Sequence, residues 1–187
     1  PLMLAPLNID DNDEIVCAKI NLVARYIETF VVRRSVNFRK FSASSIRYTI
    51  YSLVKEIRGK SLTELKQILS KKLEEMQETF AGMNEFRLHG QNYRFVKFLL
   101  SRMTAWIDHH AGMSTNFATY YYPSEGKPFE VEHIWADKFT RYKDEFEQEH
   151  DFNHYRNRIG DLVLLQQGTN QSYNDLSYEN KQPHYIK

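Results

Sequence analysis

Phe129-Glu-Val-Glu-His-Ile-Trp135 decides the reading of this chain, together with Arg158-Ile-Gly-Asp-Leu-Val-Leu-Leu165 and Asn170-Gln-Ser-Tyr-Asn174 further on. The first is a β-prone run carrying a carboxylate and an imidazole. The second ends in a short apolar run that suits a buried strand from Asp161 to Leu165. The third begins with residues that cap helices, Thr169 or Asn170, and suits a final helix through Tyr178. Strand, strand, helix is therefore the predicted order of the tail, and its chemistry lies in a few oxygen and imidazole groups.

Working outward, Tyr120-Tyr-Tyr122 and Phe129 to Ile134 flank a Pro-Ser-Glu-Gly-Lys-Pro turn region, which predicts a hairpin or two neighbouring strands. A charged helix is expected between Asp137 and Asp151. Upstream the period changes. Ile15, Val16, Ile20, Val23, Ile27, Phe30 and Val31 recur at steps of three and four, predicting a helix that begins after Asp10-Asp-Asn-Asp13. Further helices are predicted from Ser45 to Ile57, from Ser61 with Glu64 completing a capping box, and from Tyr93 to His110. The fold expected is α+β and mainly helical: a helical bundle over 1–112, followed by a compact strand-and-helix unit over 113–187.

The 187 residues, 42% hydrophobic and 14% aromatic, suffice for one good core or two small ones. No apolar run approaches the roughly 20 residues that cross a bilayer, and no leader pattern opens the chain, so no membrane is expected and an intracellular site is. Cys17 is the only cysteine, which excludes an intrachain disulfide and a thiolate zinc cluster. Any metal must use oxygen or imidazole donors. The opening on proline, with a helical pattern almost at once, suggests a piece of a larger protein. Net charge is +1, but unevenly placed: 17 Lys+Arg against 13 Asp+Glu up to Gly126 gives +4, and 8 against 11 thereafter gives −3. An acidic tail suits a bound cation, and a DNA partner would need the basic front as well.

The tail resembles a ββα-metal nuclease, and more specifically the His-Asn-His (HNH) nuclease domain in the C-terminal part of GmrSD-type restriction proteins. That family includes the phosphorothioate-sensing SspE proteins. Its Val-Glu-His-Ile-Leu-Pro looks like Val131-Glu-His-Ile-Trp-Ala136 here, and its Gly-Asn-Leu-Thr-Leu-Leu looks like Gly160-Asp-Leu-Val-Leu-Leu165. Asn170, Asn174, Tyr178, Lys181 and Tyr185 stand where the pattern continues, and Phe30-Val-Val-Arg-Arg34 resembles the family's leader. Two departures stand out. Trp135-Ala136 replaces Leu-Pro, which alters the turn after the first strand. Asp161 replaces the middle Asn, which in such sites holds the loop and helps orient the histidine; an aspartate there could accept a hydrogen bond from the imidazole and fix its tautomer.

The resemblance implies a metal-dependent DNA endonuclease, a nickase of double-stranded DNA, in bacterial restriction and phage defence, cytoplasmic, and regulated by an N-terminal nucleotide-hydrolysing, modification-sensing domain outside this chain. Phosphodiester hydrolysis requires a base for water and a cation for the charge that builds on phosphate. His133 is the expected base, since an imidazole near ~6.5 is mostly neutral at cellular pH. His133, Asp161 and Asn170 form the expected catalytic set. Glu132, Asn170 and Asn174 are the expected ligands of Mg²⁺ or Mn²⁺. Because strand neighbours face opposite sides, a bulge or strand end is needed for Glu132 and His133 to share a site.

Arg156, Arg158 and Lys181 are expected to hold phosphate, with Arg33 and Arg34 as a second basic cluster beside Arg39 and Lys40. Plain alternatives remain open: a half-buried histidine, a solvated strand glutamate, an Asn170 that is only a helix cap, and arginines in surface ion pairs. The pair His109-His110 and the i, i+4 pair His150 and His154 lack a third ligand and carry no zinc reading. No glycine loop for nucleotide is present. The competing functions are a DNA-binding or protein-docking module with a decayed site, and an RNase or toxin of the same fold.

Overall fold

The computed structural model describes every residue except 41, 123–125, 169–172, 174–175 and 186–187, with the backbone alone at 184 and 185. The chain divides into two compact units, Pro1–Met83 and Asn84–Lys187. The expected boundary at 112 lies beyond α4 (Tyr93–His110), which packs on the strands and so belongs to the second unit.

The first unit consists of α1 (Asp13–Val36), α2 (Ala43–Ile57) and α3 (Leu62–Glu74). Local chemistry sets their starts. Asn12 accepts from the Ile15 amide, Ser42 and Ser45 form a reciprocal box, and Ser61 with Glu64 forms the box expected from the sequence. Val23, Tyr26 and Phe30 on α1, Leu53 and Ile57 on α2, and Leu65 and Leu69 on α3 close into one core, with Leu2 added from the start of the chain. Their spacings of three and four residues put each set on one helix face. Each such side chain contributes roughly 1.5–3 kcal/mol by leaving water.

In the second unit, β1 (Phe129–His133) pairs antiparallel with β2 (Leu162–Gln166), one for one from Phe129↔Gln166 to His133↔Leu162. Among the described residues this two-stranded sheet is the only one. The α4 helix lies against both strands and against α5 (Phe117–Tyr121), presenting buried Val96, Leu99, Leu100 and Ala105. Between the strands the chain makes a 3-10 turn at Phe139–Arg141 and α6 (Glu149–Arg156); after them comes α7 (Tyr178–Tyr185). Phe152, fully buried, and Trp135 anchor an aromatic cluster with Tyr142, Phe146 and Tyr155 that fills the excursion.

The mainly helical α+β class matches the expectation, but three local readings are corrected. Tyr120 and Tyr121 are helical rather than extended, because Asn116 caps them by accepting from the Ala118 and Thr119 amides, and Tyr120 donates its hydroxyl to Asp108 on α4. The partner of β1 is therefore β2. The charged helix expected from Asp137 to Asp151 begins only at Glu149, since the segment before it is occupied by aromatic packing around Trp135. The strand expected from Asp161 begins at Leu162, Asp161 closing a 3-10 turn. The helix expected from 170 to 178 falls largely outside the described residues.

Candidate functional site

His133 ends β1, half-buried, and faces the C-terminal end of α6. Its Nε2 lies 2.9 Å from the Asn157 Oδ1, and Asn157 is the C-cap residue of α6. Burial holds the imidazole below its ordinary value; the bond to Asn157 opposes that shift, and the Arg156 charge reinforces it. The ring is thus neutral at neutral pH.

Glu132, one residue earlier, points elsewhere. The residue is 8% exposed, and its carboxylate meets the ammonium of Lys181 on α7 at 2.9 Å. The same ammonium donates to the His133 carbonyl at 2.9 Å. The pairing of β1 with β2 carries no bulge, so the two neighbours obey strand alternation and have separate partners. Lys181, expected on phosphate, is completely buried and acts instead as the counterion of Glu132 and a clamp on the strand end.

Asp161 holds the turn that follows β1. Its backbone carbonyl accepts from the Ile134 amide at 2.8 Å and its carboxylate from the Trp135 amide at 3.4 Å. The imidazole bond expected of it belongs to Asn157. Burial pushes the Asp161 carboxyl up to about 7, against the smaller opposing effects of the Trp135 amide, Arg156 and Lys181. The substitution of Trp135-Ala136 for Leu-Pro is absorbed in the same place: Trp135 stacks on Tyr142 at 4.8 Å, and Ala136 is 1% exposed.

Arg156 donates its Nε to the Trp135 carbonyl at 2.9 Å, and its charge acts on both His133 and Asp161. Arg158 is drawn away, paired with Glu85 at 2.8 Å and stacked over Tyr155. In the other unit, Arg33 is a helix clasp. It donates to the Leu73 carbonyl at 2.7 Å, the Met76 carbonyl at 2.8 Å and the Glu78 carbonyl, all at or just past the end of α3. Those carbonyls lack helical partners, which explains why a guanidinium fork settles there rather than at a phosphate. Arg34 donates to the Lys40 carbonyl and lies over the Phe30 ring.

Around the end of β1 the site residues therefore sort into Glu132 with Lys181, Asp161 and Arg156 on the Trp135 backbone, and His133 with Asn157, which the sequence reading missed. Its one signal was a small amide at a helix end, four residues ahead of Asp161. Asn170 and Asn174 lie outside the described residues. Among the described residues, no group of three or more His, Cys, Asp or Glu side chains converges to hold a metal ion. No described helix is long and apolar enough to cross a membrane.

Residues 38–187 match the family described as GmrSD restriction endonucleases, C-terminal domain. No curated protein and no solved structure matches the chain. The match takes in α2 and α3 of the first unit and the whole of the second, including β1, β2 and every residue around His133. With most of its length accounted for in this way, the chain belongs to the C-terminal domain family of the GmrSD restriction endonucleases.

Proposed function

We propose that the second unit is an HNH-type ββα-metal nuclease that nicks double-stranded DNA, with His133 as general base. One observation carries the reading. In a restriction endonuclease family, the imidazole at the end of β1 is held neutral by burial, with its Nε2 engaged by Asn157. A neutral imidazole takes the proton of a water that attacks phosphorus, and the leaving oxygen is protonated from solvent. Arg156, whose charge already acts on His133, is the residue proposed to hold the phosphate.

Mg²⁺ or Mn²⁺ is part of the proposal, supplying charge neutralisation at the phosphate. The described residues do not by themselves form its ligand set. Glu132 is neutralised by Lys181, and the cation's other expected donors, Asn170 and Asn174, lie beyond what is described. Control of cutting by a separate nucleotide-hydrolysing, modification-sensing domain, sensing of phosphorothioate DNA, and action in the bacterial cytoplasm against phage complete the proposal.

Supercoiled plasmid incubated with Mg²⁺ or Mn²⁺ tests it. Open circles are expected to accumulate before linear DNA, EDTA to stop the reaction, and His133→Ala to slow it about 10²–10⁴-fold. Equal conversion by both proteins removes His133 from the role of base. The Glu132–Lys181 pair favours one competing reading, a DNA-binding or docking module with a decayed site. A gel shift by both proteins without cleavage by either selects that reading, and preferential cutting of structured RNA selects an RNase.

A further inference from the structure

We infer that Asn157 is a positioning residue for His133: it fixes the ring as the Nε2–H tautomer and leaves the Nδ1 lone pair to receive the proton of the attacking water. The inference rests on the reading of His133 as base. Its ground is the orientation of one amide. Asn157 Nδ2 donates to the Asn153 carbonyl at 2.7 Å, so Oδ1 must be the atom that faces the ring. Turning the amide over would bring two acceptor oxygens together at the Asn153 carbonyl. With an acceptor fixed 2.9 Å from Nε2, the proton of the neutral imidazole resides on Nε2.

Asn157 is itself held from several directions. Its amide N–H bonds back to Asn153, closing α6, and its carbonyl accepts from the Leu88 amide at 2.7 Å. Two residues on, the Ile159 amide donates to the Phe86 carbonyl at 3.1 Å, and the Arg158–Glu85 pair lies between. The stretch before α4 thus braces the stretch before β2, and the amide is preorganised rather than recruited. On the other flank, Lys181 holds the His133 carbonyl. Both the backbone and the ring of the base are therefore set by groups far from it in sequence. When the ring takes a proton on Nδ1, the Nε2–H stays donated to Asn157, so the imidazolium forms without reorganising its partner.

The test begins on the full, unmodified chain. Ring ¹⁵N spectra, with His133→Ala used to assign its signals, should show a protonated Nε2 and a bare Nδ1. A protonated Nδ1 overturns the inference. Asn157→Leu should lower kcat for plasmid nicking about 10–100-fold with KM unchanged, and let both tautomers appear. Asn157→Asp, which keeps an acceptor toward Nε2, should retain the Nε2–H form and recover part of kcat. Full kcat in Asn157→Leu overturns the inference. If the leucine variant does not fold, the spectra of the native and aspartate proteins still decide. A native chain with the Nε2–H tautomer that cleaves neither DNA nor RNA supports the positioning and refutes the nuclease reading, so the two failures are separable.

Discussion

Among the described residues each unit buries one lysine on a carboxylate and a backbone carbonyl, yet the two pairs teach different things. In the first, Lys19 is 1% exposed and meets Asp11 at 2.7 Å and the Pro6 carbonyl at 2.9 Å, partners 8 and 13 residues away. In the second, Lys181 meets Glu132 and the His133 carbonyl, partners 49 and 48 residues away. The first pair fastens the start of the chain to the helix that follows it. The second joins the last described helix to the strand bearing the candidate base. Identical chemistry serves local fastening in one place and site construction in the other, and sequence separation is what divides them.

Lys181→Met is the strongest way to break the comparison. It leaves a nearly inaccessible carboxylate without its cation, for which a loss of about 3–5 kcal/mol is expected in denaturant titrations, together with loss of nicking. Adding Glu132→Gln should return part of that stability, because the buried charge is then gone; a double variant no better than the single would show that the charge was not the cause. Protonation sharpens the contrast, since Asp161 in the second unit and Asp11 in the first are shifted in opposite directions. Asp161, raised to about 7, is protonated in the fold where the unfolded chain has already ionised. Its contribution to stability is thus full below about pH 4 and is lost as pH rises toward 7. Asp161→Asn should flatten that decline by about 2–4 kcal/mol when melts in EDTA are compared across this range. A native protein equally stable at pH 4.5 and 7 would contradict it.

Asp11 runs the other way. The hydrogen bond from Lys19 lowers its value, so its contribution is present above the ordinary carboxylate range and disappears as pH falls through the lowered one. Lys19→Met should remove that acid-side dependence and destabilise less than Lys181→Met, because Asp11 reaches water. Nicking should be unaffected, and a parallel loss of cleavage would mean that the first pair too supports the site.

Features written within a few residues were legible before any coordinates. The Ser61/Glu64 box, the apolar period of α1, the span of α4 and the strand through His133 depend on neighbours at three or four positions, or on alternation, which the chain displays directly. Asn116 with Thr119 is the same kind of signal, overlooked because three tyrosines in a row suggested a strand. Arg33, Arg156 and Lys181 were recognisable as cations, but a cation on a phosphate and a cation on a carbonyl have the same sequence.

What the sequence by itself determined is most of the helical segments and the two strands of the tail, because these follow from residue type and local spacing. Only tertiary structure decided that Glu132 belongs to Lys181, that Arg33 clasps α3, and that Asn157 rather than Asp161 meets the imidazole. The physical reason is that a buried polar group must find a partner wherever the fold brings one within about 3 Å, and that distance is set by packing between segments, not by their order along the chain.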